Sequence, residues 1–251
     1  MKSGVLCLFF LMFTRFLFCS QLEQYIIDFD SINGAFDKNI VGVLELINKY
    51  QIKNKIKGNI AEIGVYQGKS FIPIYLLADS DEYVLAVDCF DNQEVNYDLS
   101  GYASSYDKFI KNLSRYANNL DKLKILKCDS STQSALNYIN ACDNNKFRIF
   151  SIDGCHSAHA TYIDLKNAYS CLTQGGVIVI DDYFNKDWPG VAQGVSKFIF
   201  ENNDLRPFFI GWNKVLFAHV NYTNDYINLF RSYPGLIKQS MMFDSKVLIF
   251  Q

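Results

Sequence analysis

The chain has 251 residues, of which 49% are hydrophobic and 20% are charged, and its formal net charge is -2. This length and composition predict a folded globular protein with room for one full α/β domain, and they exclude a disordered tail. No basic cluster stands out, so the sequence gives no electrostatic reason to expect nucleic-acid binding.

The amino terminus bears on where the protein resides. Residues 5–13 form an apolar run like the hydrophobic region of a signal peptide, but Thr14-Arg15 interrupts it and no A-x-A-like cleavage site follows. The run is too short to span a bilayer. Residues 1–20 are therefore either a targeting or membrane-surface segment, associating through residues 4–18, or an apolar helix packed on the domain. Seven scattered cysteines with no C-x-x-C pair favour a cytoplasmic protein with reduced thiols.

The next part of the chain, residues 21–55, is predicted to be a connector followed by an amphipathic helix at residues 40–52. The main domain, residues 56–251, begins with a buried strand at residues 59–65. A turn follows, and Ser70 is a plausible N-cap for a helix that runs through residue 78. Residues 83–87 predict a second buried strand.

Residues 89–105 are polar and without a clear period, which is typical of a functional loop or lid. The predicted elements after it are helix 106–117, strand 123–127, helix 131–141, strand 148–152, helix 162–172 closed by Gly175-Gly176, strand 177–180, helix 191–202, two strands within 207–220 around the turn Trp212-Asn213, a short helix and a strand at 246–250. The first seven strands of this order predict an α/β fold: a doubly wound, mostly parallel, seven-stranded sheet with one antiparallel strand near its edge.

Four polar side chains follow the two central strands of this prediction. Asp153 ends one strand, Asp181 and Asp182 end the next, and His156 begins the helix between them. A strand–helix–strand unit almost always crosses over right-handed, so both strand ends lie at the same edge of the sheet. Ligands of open α/β sheets bind at that edge. The sequence therefore predicts an active site there.

A glycine turn follows the first predicted strand, as Glu62-x-Gly64-x-x-x-Gly68. Glycines at such a turn allow a ligand to approach the backbone closely. Glu62 stands where a dinucleotide-binding motif needs its first glycine, so the pattern favours a cationic or amine-bearing ligand over a pyrophosphate. The alternative is that both glycines serve only the turn.

Two further acids follow the second and third strands. Asp88 is placed to accept hydrogen bonds from two ribose hydroxyls, and Asp129 could take an adenine amino group. Either could instead be an ordinary capping acid, Asp129 more readily because Ser130-Ser131 begins a helix. Together with the glycine turn, they describe a nucleoside pocket without phosphates.

The chain resembles a known family over about residues 56–220, in the segments AEIGVYQGKS, AVDCF, SIDGCHSAHATYIDLKNAYSCLTQGGVIVIDDY and GWNKVLFA. These segments resemble the Rossmann-like, class I S-adenosylmethionine-dependent methyltransferases, and within them the macrocin-O-methyltransferase-like branch. The resemblance implies that S-adenosylmethionine is bound by Glu62, Gly64, Gly68, Ser70, Asp88 and Asp129. It also implies a divalent metal, usually magnesium, held by Asp153, Asp181 and Asp182, with His156 and Asp153 as the catalytic residues and His156 as general base.

The residues themselves bear on the metal. Carboxylates at neighbouring strand ends would raise one another's pKa, and a hard cation relieves that repulsion. Magnesium would lower the pKa of a substrate hydroxyl so that its oxygen can attack the sulfonium methyl. In metal-dependent relatives outside this branch, the pair of residues at the position of Asp181-Asp182 is often Asp-Asn. One of these two aspartates can therefore support the metal ligands without binding the metal itself. Alternatively the aspartates are turn residues without a metal, and His156 is a polar helix cap.

The sequence thus predicts an O-methyltransferase that is magnesium-assisted and acts on a hydroxyl of a sugar or another small polar acceptor. Two alternatives remain: a non-catalytic or degenerate nucleoside-binding module, and a nicotinamide-dependent oxidoreductase, which would need a glycine in place of Glu62. The expected partner is a small molecule and not a nucleic acid. The oligomeric state stays open, with a homo-oligomer as one alternative.

Overall fold

The structure is a computed structural model, and it describes residues 20–98 and 100–251. The apolar run at residues 5–13, with the membrane association predicted for residues 4–18, lies outside the described residues. Within the described ranges, none of the helices has both the length and the apolar character needed to cross a bilayer.

Helices alternate with strands along most of the chain. The helices are α1 (Gln21–Ile27), α2 (Asn39–Lys53), α3 (Phe71–Leu77), α4 (Tyr106–Ser114), α5 (Ala135–Ala141), α6 (Ala158–Ser170), α7 (Pro189–Glu201) and α8 (Val220–Phe230). The strands are β1 (Asn59–Ile63), β2 (Val84–Asp88), β3 (Leu123–Lys127), β4 (Phe147–Ile152), β5 (Leu172–Asp181), β6 (Leu205–Gly211), β7 (Lys214–His219), β8 (Leu236–Met242) and β9 (Ser245–Phe250).

The strands form one sheet in the order β3-β2-β1-β4-β5-β7-β6-β9-β8. The α/β class and the mostly parallel sheet are confirmed, but the predicted count of seven strands is wrong, since the sheet has nine. Strand β7 is antiparallel to both of its neighbours and lies inside the sheet, and β8 is a second antiparallel strand at the edge. Strand β8 escaped prediction because most of its residues are exposed, which leaves no apolar alternation to detect.

Helices cover both faces of the sheet, so its central strands are buried on both sides. All residues of β1 and β4 are buried, which explains their continuous apolar runs. Alternate residues enter different core layers: Ile60 packs with Phe71 on one face, and Ala61 packs with Leu165 on the other. This double cover fixes the strand ends and therefore the side chains that follow them.

Three boundaries differ from the prediction. Helix α1 occupies the first part of the predicted connector, and Ser20 caps it in a capping box with Glu23. The helix predicted at residues 131–141 is a 3-10 turn at Ser130–Thr132 followed by α5. Gly175-Gly176 does not close a helix: α6 ends at Ser170, and both glycines lie in β5, where the Gly175 carbonyl accepts a hydrogen bond from Tyr226.

The β6–β7 connection is a two-residue hairpin turn, as predicted at Trp212-Asn213. Both residues have positive φ, 47° and 65°, as the turns that best match the twist of paired strands require. Because β7 pairs antiparallel with β5, Lys214 lies beside Asp181 in the register. The turn therefore brings Asn213 and Lys214 to the edge of the sheet where the parallel strands end.

Candidate active site

A single open cavity of about 480 Å³ lies at the carboxyl ends of β1, β2, β4 and β5. Most of the predicted site residues line it, namely Gly64, Ser70, Asp88, Asp129, Asp153, His156, Asp181 and Asp182. The wall also includes Gly34, Ala35 and Phe36, which precede the predicted domain. The predicted nucleoside pocket and the predicted acidic edge are therefore parts of one space.

Glu62 lies beneath this wall and does not line the cavity. Its side chain is fully buried, and its carboxylate accepts hydrogen bonds of 3.0 Å from the hydroxyls of Ser70 and Ser151. Burial raises the pKa of Glu62 to about 7, although the charge of Lys214 opposes this. Ser70 holds the N-cap position of α3, as predicted, but its hydroxyl serves Glu62 and makes no capping bond.

The two predicted glycines have different neighbours. Gly64 has φ of 80°, and a Cβ atom there would lie 1.8 Å from the backbone oxygen of Asp153. A side chain at residue 64 would thus separate β1 from the end of β4. Gly68 has φ of 93° and packs against Phe109, away from the cavity. The chain itself therefore demands both glycines, whatever ligand approaches Gly64.

Asp88 is the last residue of β2, and both of its oxygens accept backbone hydrogen bonds. Oδ2 accepts from the amide of Tyr66 at 2.8 Å, and Oδ1 accepts from the amide of Phe90 at 2.6 Å. Burial raises the pKa of Asp88, and these hydrogen bonds oppose the rise. Because Tyr66 belongs to the glycine turn, Asp88 ties that turn to the end of β2.

Asp129 follows β3 and caps the 3-10 turn after it. Its Oδ1 accepts hydrogen bonds from the amide and the hydroxyl of Ser131, at 2.9 and 2.7 Å. The capping alternative is therefore realised at Asp129. The same residue lines the cavity, so capping and ligand binding are compatible here.

The acidic edge contains a cation that the sequence analysis did not predict, the ammonium of Lys214. The Nζ atom of Lys214 lies 2.5 Å from Oδ2 of Asp181 and 3.6 Å from Oδ2 of Asp153. Oδ1 of Asp181 accepts from the amide of Asp182 at 2.9 Å and from the side-chain amide of Asn213 at 3.0 Å. Burial raises the pKa of Asp181 and of Asp153, and the Lys214 charge opposes the rise at both.

Asp182 has a positive φ of 59°, and side-chain amides hold it in this conformation. Its Oδ1 accepts from Asn213 at 2.6 Å and from Asn185 at 2.7 Å, and its Oδ2 lies 3.1 Å from Nε2 of His156. Burial raises the pKa of Asp182, but these hydrogen bonds outweigh it and hold the pKa at about 2. The aspartate is therefore ionised.

His156 is held on three sides. Its Nδ1 lies 2.7 Å from Oδ2 of Asp98, its Nε2 faces Asp182, and its ring stacks on Trp188 with centroids 4.2 Å apart. The backbone amide of His156 also donates to Asp98, at 2.6 Å. Burial lowers the pKa of His156, but the two carboxylates raise it to about 10. In this arrangement the ring is an imidazolium and not a free base.

The donors that the structure offers to a metal differ from the predicted three aspartates. One ligand atom each from Asp153, His156 and Asp182 lie within 4.8 Å of one another, and Asp181 is outside this group. Asp181 is committed to Lys214, Asn213 and the Asp182 amide. Magnesium prefers oxygen ligands, and the third donor of the group is an imidazole whose two ring nitrogens already face the carboxylates of Asp98 and Asp182. The residues present do not fit the predicted three-aspartate magnesium site.

Three contacts of the site escaped the sequence analysis: those of Asp98, Asn213 and Lys214. Lys214 carried a usable signal, since it is a lone charge at the start of an apolar strand, beside a tight turn. Asn213 appeared only as a turn residue. Asp98 lies in the predicted functional loop, among several polar residues that no pattern distinguishes.

Several known proteins are similar to this chain. A family model described as a methyltransferase domain matches residues 61–183. No curated protein matches the chain by sequence. Among solved structures, the O-methyltransferase NovP is 18% identical with a TM-score of 0.62, covering 74% of this chain and 83% of its own.

Two further solved structures are similar. CalS11, a TDP-rhamnose 3'-O-methyltransferase of calicheamicin biosynthesis, is 14% identical with a TM-score of 0.53, covering 73% of this chain and 81% of its own. The SAH-bound methyltransferase PaMTH1 of Podospora anserina is 15% identical with a TM-score of 0.52, covering 79% of this chain and 87% of its own. At these identities the likeness concerns the fold.

Proposed function

Because a methyltransferase-domain model matches residues 61–183, we propose that the chain is a class I S-adenosylmethionine-dependent methyltransferase that methylates a hydroxyl of a sugar or another small polar acceptor. The observation that carries this proposal is the continuity of the cavity, which joins the glycine turn and Asp88 to the polar groups around Asp153 and His156. A methyl donor in the first part would face an acceptor in the second.

The cofactor side of the proposal uses the carboxylates of the first three strands. S-Adenosylmethionine carries a sulfonium and an ammonium, and an acidic wall favours both charges. We assign the ribose hydroxyls to Asp88 and the adenine amino group to Asp129. Glu62 and Ser70 form a buried pair that supports the glycine turn at Gly64, so their role is to shape the pocket.

The acceptor side needs a group that takes a proton. In the transfer, the acceptor oxygen forms a bond to the methyl carbon, the bond from carbon to sulfur breaks, and the electron pair leaves on sulfur as a neutral thioether. The hydroxyl proton goes to a base. His156 already holds its proton between Asp98 and Asp182. We therefore assign the base to Asp153, whose pKa burial raises, and the placement of the acceptor to His156.

The charge of the cavity wall favours a neutral acceptor. Among the described residues that line it, Lys69 is the only lysine or arginine, whereas five aspartates lie on the wall. The Lys69 Nζ atom also lies 4.3 Å from the ring centroid of Phe29. A diphosphate would find few positive partners here, so a glycoside or a free polyol fits better than a nucleotide sugar.

The remaining features of the proposal come from the sequence. We propose residues 56–251 as the methyltransferase domain, with residues 34–36 of the preceding segment completing its cavity. A cytoplasmic location, the alternative of membrane association through residues 4–18, and a homo-oligomer remain predictions.

The proposal is tested by binding and then by turnover. In titration calorimetry, S-adenosylhomocysteine should bind and a nicotinamide dinucleotide should not. Methyl transfer should then be assayed over matched glycosides and nucleotide sugars. Binding of the dinucleotide alone would contradict the assignment, and binding of S-adenosylhomocysteine without turnover on any acceptor would favour the nucleoside-binding module.

A further inference from the structure

Lys214 is a buried lysine whose surroundings are almost entirely acidic. Only 2% of its side chain is exposed. Its Nζ atom lies against Asp181 and Asp153, and 5.5 Å from the ring centroid of Phe36. Among the described residues, Nζ meets no acceptor at a hydrogen-bonding angle, so its contact with Asp181 is an ion pair.

A buried lysine is unfavourable by itself, because removing its ammonium from water costs more free energy than packing the side chain usually gains. Here the cost is offset by the two carboxylates, which would otherwise be buried at the same strand ends without a counter-charge. The favourable charges of Asp181 and Asp153 raise the pKa of Lys214 against the effect of burial. The lysine and the two acids therefore stabilise one another.

The position of Lys214 also depends on the fold rather than on a flexible side chain reaching inward. The turn Trp212-Asn213 fixes the register of β7, in which Lys214 is the partner of Asp181. Asn213, its neighbour, donates to both Asp181 and Asp182. One hairpin thus supplies a cation and an amide to the carboxylates that the sequence predicts as metal ligands.

We propose that Lys214 is the resident counter-ion of the acidic edge, a positioning residue whose ammonium holds Asp153 and Asp181 in place, so that the protein folds and binds its cofactor without a divalent cation. The proposal does not depend on the identity of the acceptor. It differs from the magnesium site implied by the resemblance, since Lys214 occupies oxygens that such an ion would need.

The first test uses the wild-type protein. MgCl2 and MnCl2 are titrated into chelator-treated protein in a calorimeter, and S-adenosylhomocysteine affinity and the melting temperature are measured with and without EDTA. We expect no metal binding up to millimolar concentration, an affinity equal within about twofold, and an unchanged melting temperature. Metal binding that raises the affinity or the melting temperature would overturn the proposal and favour an ion held by Asp153, His156 and Asp182.

The second test removes the ammonium. Lys214→Met leaves two buried acids without their cation, so we expect the melting temperature to fall by about 10 °C. We also expect Mg²⁺ to restore part of it, because a cation can now approach Asp181. The double variant Asp181→Asn/Lys214→Met removes one charge of each sign and should melt above Lys214→Met, with less response to metal.

Lys122→Met is the matched control. Lys122 is half-buried and donates to the backbone oxygen of Ala78 at 2.7 Å, away from the cavity, so its loss should lower stability without creating a metal response. Equal metal responses in Lys122→Met and Lys214→Met, or a Lys214→Met protein that melts like the wild type, would overturn the proposal. If Lys214→Met does not fold but the double variant does, the counter-ion role is supported. If neither folds, the wild-type titration decides.

Discussion

Two buried ionic clusters lie at opposite ends of this sheet, and they are built differently. At the amino end, fully buried Arg148 donates from Nε and Nη2 to the two oxygens of Glu82, each at 2.6 Å, and from Nη1 to Gln51 at 2.8 Å. At the carboxyl end, Lys214 alone faces Asp181 and Asp153. The first cluster pairs its charges one to one, and the second has more acids than permanent cations.

The difference indicates what each end does. The Arg148 cluster connects α2 to the sheet, because Gln51 also donates to the Arg148 carbonyl at 2.9 Å, and it leaves no charge for a ligand. The carboxyl end keeps acids that line a cavity, which is costly unless a ligand uses them. We therefore expect the amino end to serve stability alone, and the carboxyl end to combine stability with the proposed binding.

The largest expected effect comes from breaking the paired end. Arg148→Met should leave Glu82 buried without its cation and cost about 3–5 kcal/mol of the free energy of unfolding. Urea unfolding followed by circular dichroism measures this loss. The affinity of the folded variant for S-adenosylhomocysteine should stay within a few-fold of the wild type; a selective loss of affinity would contradict the division between the two ends.

The second effect concerns the pH dependence of the carboxyl end. The pKa of His156 is about 10 in the folded protein, above its ordinary value of 6.5. The stability it contributes is therefore complete below about pH 6.5 and is lost as the pH rises through 10; about 3 kcal/mol of it is lost between about pH 6.5 and about pH 9. Free energies of unfolding at several pH values measure it. His156→Gln should flatten this slope, and an equal slope in both proteins would show that another group is responsible.

A smaller effect is expected on binding. Asp88→Asn should weaken S-adenosylhomocysteine binding by about 2 kcal/mol, or about 30-fold, because a charged acceptor is lost at the proposed ribose position and at the Tyr66 amide. Calorimetry measures the affinity. Asp129→Asn, the control at the next strand, should cost less, since its remaining amide oxygen can still accept from Ser131 and only one ligand amino group is assigned to it. A larger loss of affinity in Asp129→Asn than in Asp88→Asn would contradict these assignments and favour Asp129 as the ribose-binding acid.

The smallest effect at neutral pH is expected at Glu62. Because the folded pKa is about 7, the buried carboxyl is half protonated there, and Glu62→Gln should change stability by about 1 kcal/mol or less. The raised pKa means that the folded protein holds an extra proton, so the wild type should lose stability as the pH rises from about 4.3 through 7. The variant should lose this dependence. Unfolding at pH 5 and pH 8 compares the two.

Much of this architecture could be predicted from the sequence because it is local. The buried runs of β1 and β4 are continuous apolar segments, and right-handed crossovers then bring Asp153 and Asp181 to one edge. The predicted number of strands was too low because β8 was missed: its exposed residues pair with β9 without an apolar pattern. The prediction that a helix ends at Gly175 was wrong because glycine is common both after helices and at irregular positions in strands.

The contacts of the site could be predicted only in part. A strand end fixes where Asp153 lies, but not that Lys214 comes from an antiparallel neighbour, which depends on the pairing of β5 with β7. The loop residue Asp98 reaches His156 across 58 positions of the chain. Long-range partners of this kind depend on tertiary placement, and neither propensity nor periodicity encodes it.

Phe36 lies on the cavity wall beside Lys214, yet it precedes the region matched by the family model, which begins at residue 61. The stretch from Gly34 to Phe36 is short, lies between two helices, and carries none of the acids that we assign to the cofactor. Substitutions in this stretch can therefore reshape one wall of the cavity without touching the acids that the proposed function assigns to the methyl donor.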